Sequence, residues 1–219
     1  MAISRRATRR NDESRIMSLP SRTDWIWIRH APVQGQESRY YGQLDVACEP
    51  VNPVVASVLA RQLPPVAVWM ATPMSRTRAT ALALKPGVDP IEIPDLNEQH
   101  YGLWQGRSHN DVYAASRGLE WTNPAHIRPP EGESFADLAI RVAGAVDRLT
   151  EHYAGHSIIA VAHATTIRAA IGHALGLDPA TSLRIEIAPL SLTRLNCRIV
   201  NGDALWGVGC INFEVPAVR

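Results

Sequence analysis

The chain has 219 residues, 46% of them apolar and 20% charged, which suits one domain with a sizeable core and excludes a disordered chain. A net charge of +1 leaves no field to drive the whole protein onto nucleic acid or a membrane surface, so anion chemistry must come from locally placed cations. Cys48, Cys197 and Cys210 have no metal-ligand spacing and read as free thiols of a cytoplasmic protein. No apolar run reaches the ~20 residues of a membrane-spanning helix.

Residues 1–24 carry Arg5, Arg6, Arg9, Arg10, Arg15 and Arg22 without apolar periodicity. They read as a disordered basic tail, or as an over-extended start with Met17 as the initiator. Asp12 and Glu13 fit poorly with a transit peptide, and an apolar signal region is lacking.

Order is expected from Trp25, where Trp25-Ile26-Trp27-Ile28 is a β-rich run ending in Arg29-His30-Ala31-Pro32. Val54, Val55, Val58, Leu59 and Leu63 have helical spacing over 53–63. A second buried strand is predicted over 66–71, with Thr72 capping a helix that runs to about Leu84. A brief strand follows at 91–93, then a segment rich in Gly, Asn, His, Trp and Pro with a short helix at 110–117. Phe135, Leu138, Val142, Val146 and Leu149 form a helical stripe after Ser134. Residues 157–162 are the strongest strand, and Thr165 or Thr166 is read as capping a helix to Leu175. Three β-rich stretches, 183–187, 191–199 and 204–211, close the chain, the last two as a hairpin around Asn201-Gly202.

Strands alternating with helices predict an α/β fold in three layers, α/β/α, with a mostly parallel central sheet and an antiparallel C-terminal edge hairpin. In such sheets ligands bind beyond the carboxyl ends of the strands. Arg29-His30, Thr72 to Arg76, and His163 all stand at strand ends, and that shared address points to one site.

The residue types suit phosphoryl transfer. Arg29 and Arg76 can grip phosphate oxygens with planar forks. His30 and His163 can stand over the phosphate, one attacking as a neutral imidazole while the other donates hydrogen bonds. Glu98, in a polar loop, can protonate the leaving alkoxide. Such a pocket needs no metal or other cofactor. Taken singly, each residue also has an ordinary structural explanation; their joint occurrence at strand ends favours function. His100, His109, His126, His152, His156 and His173 are read as surface or core residues.

Six segments in register resemble the histidine phosphatase superfamily, also called phosphoglycerate mutase-like. They are Arg29-His30-Ala31, Gly42 to Asp45, Ala71 to Thr80, Leu96 to Gly106, Pro130 to Ser134, and Val161 to Arg168. The resemblance covers about residues 25–176. It implies a phosphoglycerate mutase-like fold over 25–219, with a cap insertion at about 103–133. It implies His30 as nucleophile, Arg29, Arg76 and His163 as phosphate ligands, and Glu98 as general acid and then base. Asp45 is assigned to shaping its loop, and Arg78 is a weaker phosphate candidate. Ala31 and Ala164 stand where the family usually has glycine. No residue among Gln34, Gln36 and Ser38 can be singled out as a phosphate contact.

The insertion with Trp121 to Pro124 and Arg128 to Ser134 resembles α-ribazole phosphatase-like members. Trp104, Tyr113 and Trp121 are candidates to stack on an aromatic leaving group, or simply to pack the cap. Arg107, Arg117 and Arg128 are isolated where mutases carry tandem arginines, which favours a phosphatase. The expected partner is therefore a small phosphorylated metabolite, nucleotide-like in one reading, without nucleic acid or membrane; a homodimer is left open. The alternatives are a mutase-type phosphotransferase, a protein phosphohistidine phosphatase and a silent phospho-ligand-binding module.

Overall fold

The run Trp25–Ile28 alternates between two interiors. Trp25 and Trp27 pack into one apolar cluster, and Ile26 and Ile28 into another on the opposite side of the sheet. A strand that is apolar on both faces must be covered on both. All four side chains are at most 4% exposed. Full burial of such a side chain stabilises by about 1.5–3 kcal/mol. The two indole rings stack at 4.9 Å, and the Trp25 ring N–H donates to the Thr150 hydroxyl.

The computed structural model describes residues 21–35, 38–119 and 121–215. The strands are β1 (Arg22–Arg29), β2 (Val68–Ala71), β3 (Ile91–Glu92), β4 (Ser157–Ala162), β5 (Leu192–Val200) and β6 (Asp203–Phe213), in the order β3-β2-β4-β1-β5-β6. β3, β2, β4 and β1 pair in parallel, whereas β5 joins β1, and β6 joins β5, in antiparallel fashion. The three-layer expectation and the antiparallel edge both hold. Helices α1 (Pro53–Arg61) and α2 (Ser75–Leu84) cover one face; α4 (Phe135–His152) and α5 (Ala164–Leu175) cover the other. Short helices α3 (His109–Ala115) and α6 (Pro179–Ser182) lie in the connections. The β5–β6 turn is Asn201-Gly202, both with positive φ (54° and 92°), as a two-residue hairpin requires.

Four expectations need correction. Thr72 does not cap α2, which starts at Ser75; the Asp45 carboxylate accepts the Ser75 N–H at 2.7 Å instead. Neither Thr165 nor Thr166 caps α5, because the helix already begins at Ala164, behind His163. The Thr166 hydroxyl donates to the carbonyls of Leu96 and Asn97. Residues 183–187 are no strand: β5 already occupies the sheet edge beside β1, and the carbonyls of Ile185 and Ile187 accept from Arg168 and Arg29. The basic-tail expectation lies almost wholly outside the described residues; Arg22, read as part of that tail, opens β1. No helix among the described residues is long and apolar enough to cross a membrane.

Candidate active site

β4 lies between β1 and β2, so the residue that follows it stands between those that follow its neighbours. His163 therefore sits with His30 on one side and Thr72 on the other. The imidazole rings of His30 and His163 are 5.1 Å apart and nearly edge to face. The His163 Nε2 lies 2.9 Å from the Thr72 hydroxyl, which in turn lies 3.0 Å from that of Thr77 on α2. The His163 Nδ1 is buried with no hydrogen-bond partner among the described residues.

The tautomer of His30 follows from its one partner. Its Nδ1 is 2.6 Å from the Ala31 carbonyl, which can only accept, so Nδ1 carries the proton and Nε2 keeps its lone pair. Burial, with Arg76 and Arg29 nearby, pushes the His30 pKa down to about 3 despite that bond. Burial, then His30 and Arg76, holds His163 well below the usual range. Both rings are neutral near pH 7. Ala31 is fully buried and its N–H donates to the Thr80 hydroxyl; neither Ala31 nor Ala164 has a positive φ, so the backbone tolerates alanine where the family uses glycine.

Arg76 is 1% exposed, and its guanidinium donates to the carbonyls of Gly42 and Leu44. Gly42 has φ 53° and lies so close to Gln99 and Tyr101 that a Cβ would collide with them. The Gly42–Asp45 segment thus seats Arg76 by its carbonyls and caps the Arg76 helix by Asp45. Arg29 donates to the Ile187 carbonyl at 2.6 Å, while its Nε is buried without a hydrogen-bond partner among the described residues.

Glu98 is positioned from beneath. Arg141 on α4 donates to the carbonyls of Asp95 and Asn97 and pairs with Glu133 at 2.6 Å. Removal of the Glu98 carboxyl from water raises its pKa, against the Gln99 N–H, Arg76, Arg29 and Arg168, which favour the anion. A carboxylic acid kept protonated can donate a proton to a leaving group.

Arg29, His30, Arg76 and Glu98 line one cleft of about 320 Å³, together with Arg39, Tyr40, Tyr101, His109, Thr165 and Arg168. His163 lies against His30 behind it. All five predicted site residues are therefore gathered in one place. Sequence reasoning missed Arg39, Arg168 and the rim residue His109, whose ring packs on Tyr40 at 4.4 Å. Arg168 belonged to a quoted motif, five residues after His163, and that spacing was the available signal. Gln34 and Ser38 do not line the cleft, and Gln36 lies outside the described residues. Arg78 is removed from the phosphate candidates: it pairs with Glu92 on the exposed side of α2. Among the described residues no group of three or more His, Cys, Asp or Glu side chains is placed to hold a metal.

Arginines gathered round uncharged imidazoles, at the carboxyl ends of parallel strands, define a protein built to receive an oxyanion. The chain belongs to the histidine phosphatase superfamily, branch 1, which it matches over residues 25–202. A glucosyl-3-phosphoglycerate phosphatase of Mycolicibacterium vanbaalenii is 34% identical over 167 residues, 69% of this chain and 74% of that protein. The adenosylcobalamin/α-ribazole phosphatase of Escherichia coli is 31% identical over 109 residues, 48% of this chain and 54% of that protein. The native structure of a mycobacterial glucosyl-3-phosphoglycerate phosphatase has the same fold, with a TM-score of 0.77 at 24% identity over 88% of this chain and 100% of that one. The chain spans about half, 50%, of the length of mycobacterial proteins to which it is 30% identical over 184 residues, 78% of this chain.

Proposed function

We propose that the chain is a metal-independent phosphomonoesterase working through a phosphohistidine on His30, with a small phosphorylated molecule as substrate. The observation that carries this reading is the His30 ring: its Nδ1–H is fixed on the Ala31 carbonyl, its Nε2 lone pair is free, and it borders an arginine-lined cleft.

In the first step the Nε2 lone pair forms a bond to phosphorus as the ester P–O bond breaks, and Glu98 gives its proton to the departing oxygen. Arg29, Arg76 and His163 hold the phosphoryl oxygens as charge develops. In the second step Glu98, now ionised, takes a proton from water; the water oxygen bonds to phosphorus, the P–N bond breaks, and phosphate and free His30 are released.

Arg107, Arg117 and Arg128 do not line the cleft, which favours hydrolysis over mutase chemistry. Trp104 and Trp121 stack on one another at 5.9 Å, with Tyr113 leaning on Trp121. Cap packing therefore accounts for Tyr113, while Trp104 and Trp121 also line a space beside the cleft. A nucleotide-like leaving group is the narrower form of the proposal.

The test is phosphate release from an aryl phosphate with a metal chelator present, comparing the parent with His30→Ala. Activity should survive chelation and fall by at least about 10³-fold in the variant, and an alkaline denaturing quench should trap labelled phosphohistidine in the parent and none once His30 is gone. Activity lost to the chelator, or kept in the variant, would remove His30 as nucleophile. Faster bisphosphoglycerate-dependent interconversion of phosphoglycerates than phosphate release would instead select the mutase reading.

A further inference from the structure

Residues 187–191 fold back over Arg29 and bond it three times. The Ile187 carbonyl accepts from Nη1 at 2.6 Å, the Arg29 carbonyl accepts the Leu190 N–H at 3.1 Å, and the Arg29 N–H donates to the Ser191 carbonyl at 3.2 Å. The bond through Nη1 leaves the edge formed by Nε and Nη2, the side of the fork that can grip two phosphoryl oxygens. The direction of the Ile187 carbonyl therefore decides how Arg29 presents that edge.

That carbonyl is held from behind. The Ile187 C=O and the Ala188 N–H belong to one planar peptide unit and point to opposite sides of the chain. The Ala188 N–H donates to the Asn212 Oδ1 at 2.6 Å. Asn212 and Arg29 thus grip a single peptide plane from its two edges, and the bond on one edge polarises the other. The plane opens a tight turn, closed by the Ser191 N–H on the Ala188 carbonyl at 3.1 Å. Leu190 has φ 58° there, at a turn position that favours glycine after a proline. A leucine in the left-handed region persists only where its surroundings over-determine it. The bonds to Arg29 and Asn212 supply that constraint.

Asn212 owes its aim to an irregularity in β6. Ile211 and Asn212 together stand opposite Thr193, a β-bulge between the pairs Leu192–Phe213 and Arg194–Cys210. Asn212 takes φ 53°, and its N–H donates to the Thr193 hydroxyl at 3.1 Å. Bulges re-aim side chains, and this one turns Asn212 towards the loop that holds Arg29.

We propose that Asn212, on the outermost strand of the sheet, is a positioning residue for phosphate binding: through the Ile187–Ala188 peptide it sets the orientation in which Arg29 meets the phosphoryl oxygens. The proposal rests on the reading of Arg29 as a phosphate ligand. Asn212 does not line the cleft and acts only through the peptide.

Affinity for inorganic phosphate, measured by calorimetry, tests this apart from turnover. Asn212→Gly keeps the positive φ and removes the acceptor, whereas Asn212→Asp keeps both. The glycine variant should bind phosphate about three- to tenfold more weakly than the parent, as loss of one hydrogen bond implies. Asn212→Asp should recover most of that loss. The effect must also run through Arg29: in an Arg29→Gln background, Asn212→Gly should change the affinity by less than about 1.5-fold. Should that background bind phosphate too weakly for calorimetry, kcat/KM on an aryl phosphate gives the same ratio. Parental affinity in Asn212→Gly, an aspartate no better than glycine, or an undiminished loss beside Arg29→Gln overturns the proposal. If Asn212→Gly does not fold, Asn212→Ser, whose hydroxyl stops short of the Ala188 N–H, decides by the same ratios. Coupling to Arg29 in a protein that hydrolyses no phosphomonoester would keep the role of Asn212 and refute the phosphatase reading. An active phosphatase whose phosphate affinity ignores Asn212→Gly would do the reverse.

Discussion

The rings of His30 and His163 meet at 64°, with centroids 5.1 Å apart, where the neighbouring strands β1 and β4 end. Burial beside Arg76 and Arg29 denies both a proton, and His30 adds to the effect at His163. In the unfolded chain a histidine titrates near ~6.5, so below that pH the unfolded state binds more protons and stability falls. The loss should begin as pH drops through about 6.5 and continue towards about 3, where His30 itself protonates. Its slope is at most roughly 1.4 kcal/mol per pH unit for each histidine. Glu98 acts in the opposite sense, because a raised folded pKa gives stability at low pH that is lost as pH rises through it. Urea denaturation of the parent and His30→Asn from pH 7 to 4.5 isolates one histidine, with Glu98 common to both. The variant should show the shallower decline; equal slopes would contradict the burial account of His30.

Glu98 should govern the alkaline side of the rate profile. Its carboxyl must be protonated to serve a poor leaving group, so kcat/KM for an alkyl phosphate should fall as pH rises through its raised pKa. Glu98→Gln should cost about 10²–10⁴ in kcat/KM, which reports the step that releases the alcohol, on an alkyl phosphate and far less on a nitrophenyl ester, whose leaving group needs no proton. Equal losses on the two esters would rule out general acid catalysis by Glu98.

Asp45 acts at one remove. Its carboxylate is the first acceptor of α2, and α2 carries Arg76. Asp45→Ala should lower stability by about 1 kcal/mol and raise KM more than it lowers kcat. A variant with parental melting temperature and KM would show that the cap is dispensable.

Gly102 tests a close approach of two backbones. Its φ is 49°, and a Cβ there would stand 2.0 Å from the Pro130 carbonyl oxygen. Gly87 also has a positive φ, 79°, with open space around it. Gly87→Ala should cost about 1–2 kcal/mol from φ alone, whereas Gly102→Ala should cost clearly more and disturb the neighbouring Glu98 loop. Similar melting temperatures for the two variants would mean that the 130–132 backbone yields without penalty.

The strand ends were legible because apolar runs stop abruptly at Arg29, Thr72 and His163, and a parallel sheet brings such ends together. The hairpin was legible because Asn-Gly meets the φ demands of its turn. Residues 183–187 misled because apolar periodicity carries no record of which strand already fills an edge. Arg39 and His109 stayed hidden because their place depends on the bridge between Arg39 and Ser108, a pairing of two irregular segments. Thr72 was recognised by type and misassigned by role: a threonine before a proline suits a cap, and only the position of β4 reveals an imidazole as its partner.

The segments around 99–103 and 130–133 are laced together by the Leu103 N–H on the Pro130 carbonyl, the Glu133 N–H on the His100 carbonyl and the Gln99 amide on the Glu133 carbonyl. The chain between them leaves and returns through one clasp, so its ends stay fixed whatever its length. Doubling a flexible loop of this kind costs only about 0.6 kcal/mol of closure entropy. Evolution can therefore redraw the wall that Trp104, Trp121, Pro124 and Ile127 form beside the cleft while Glu98, two residues from His100, keeps its station. One reaction can in this way be inherited intact as its clientele changes.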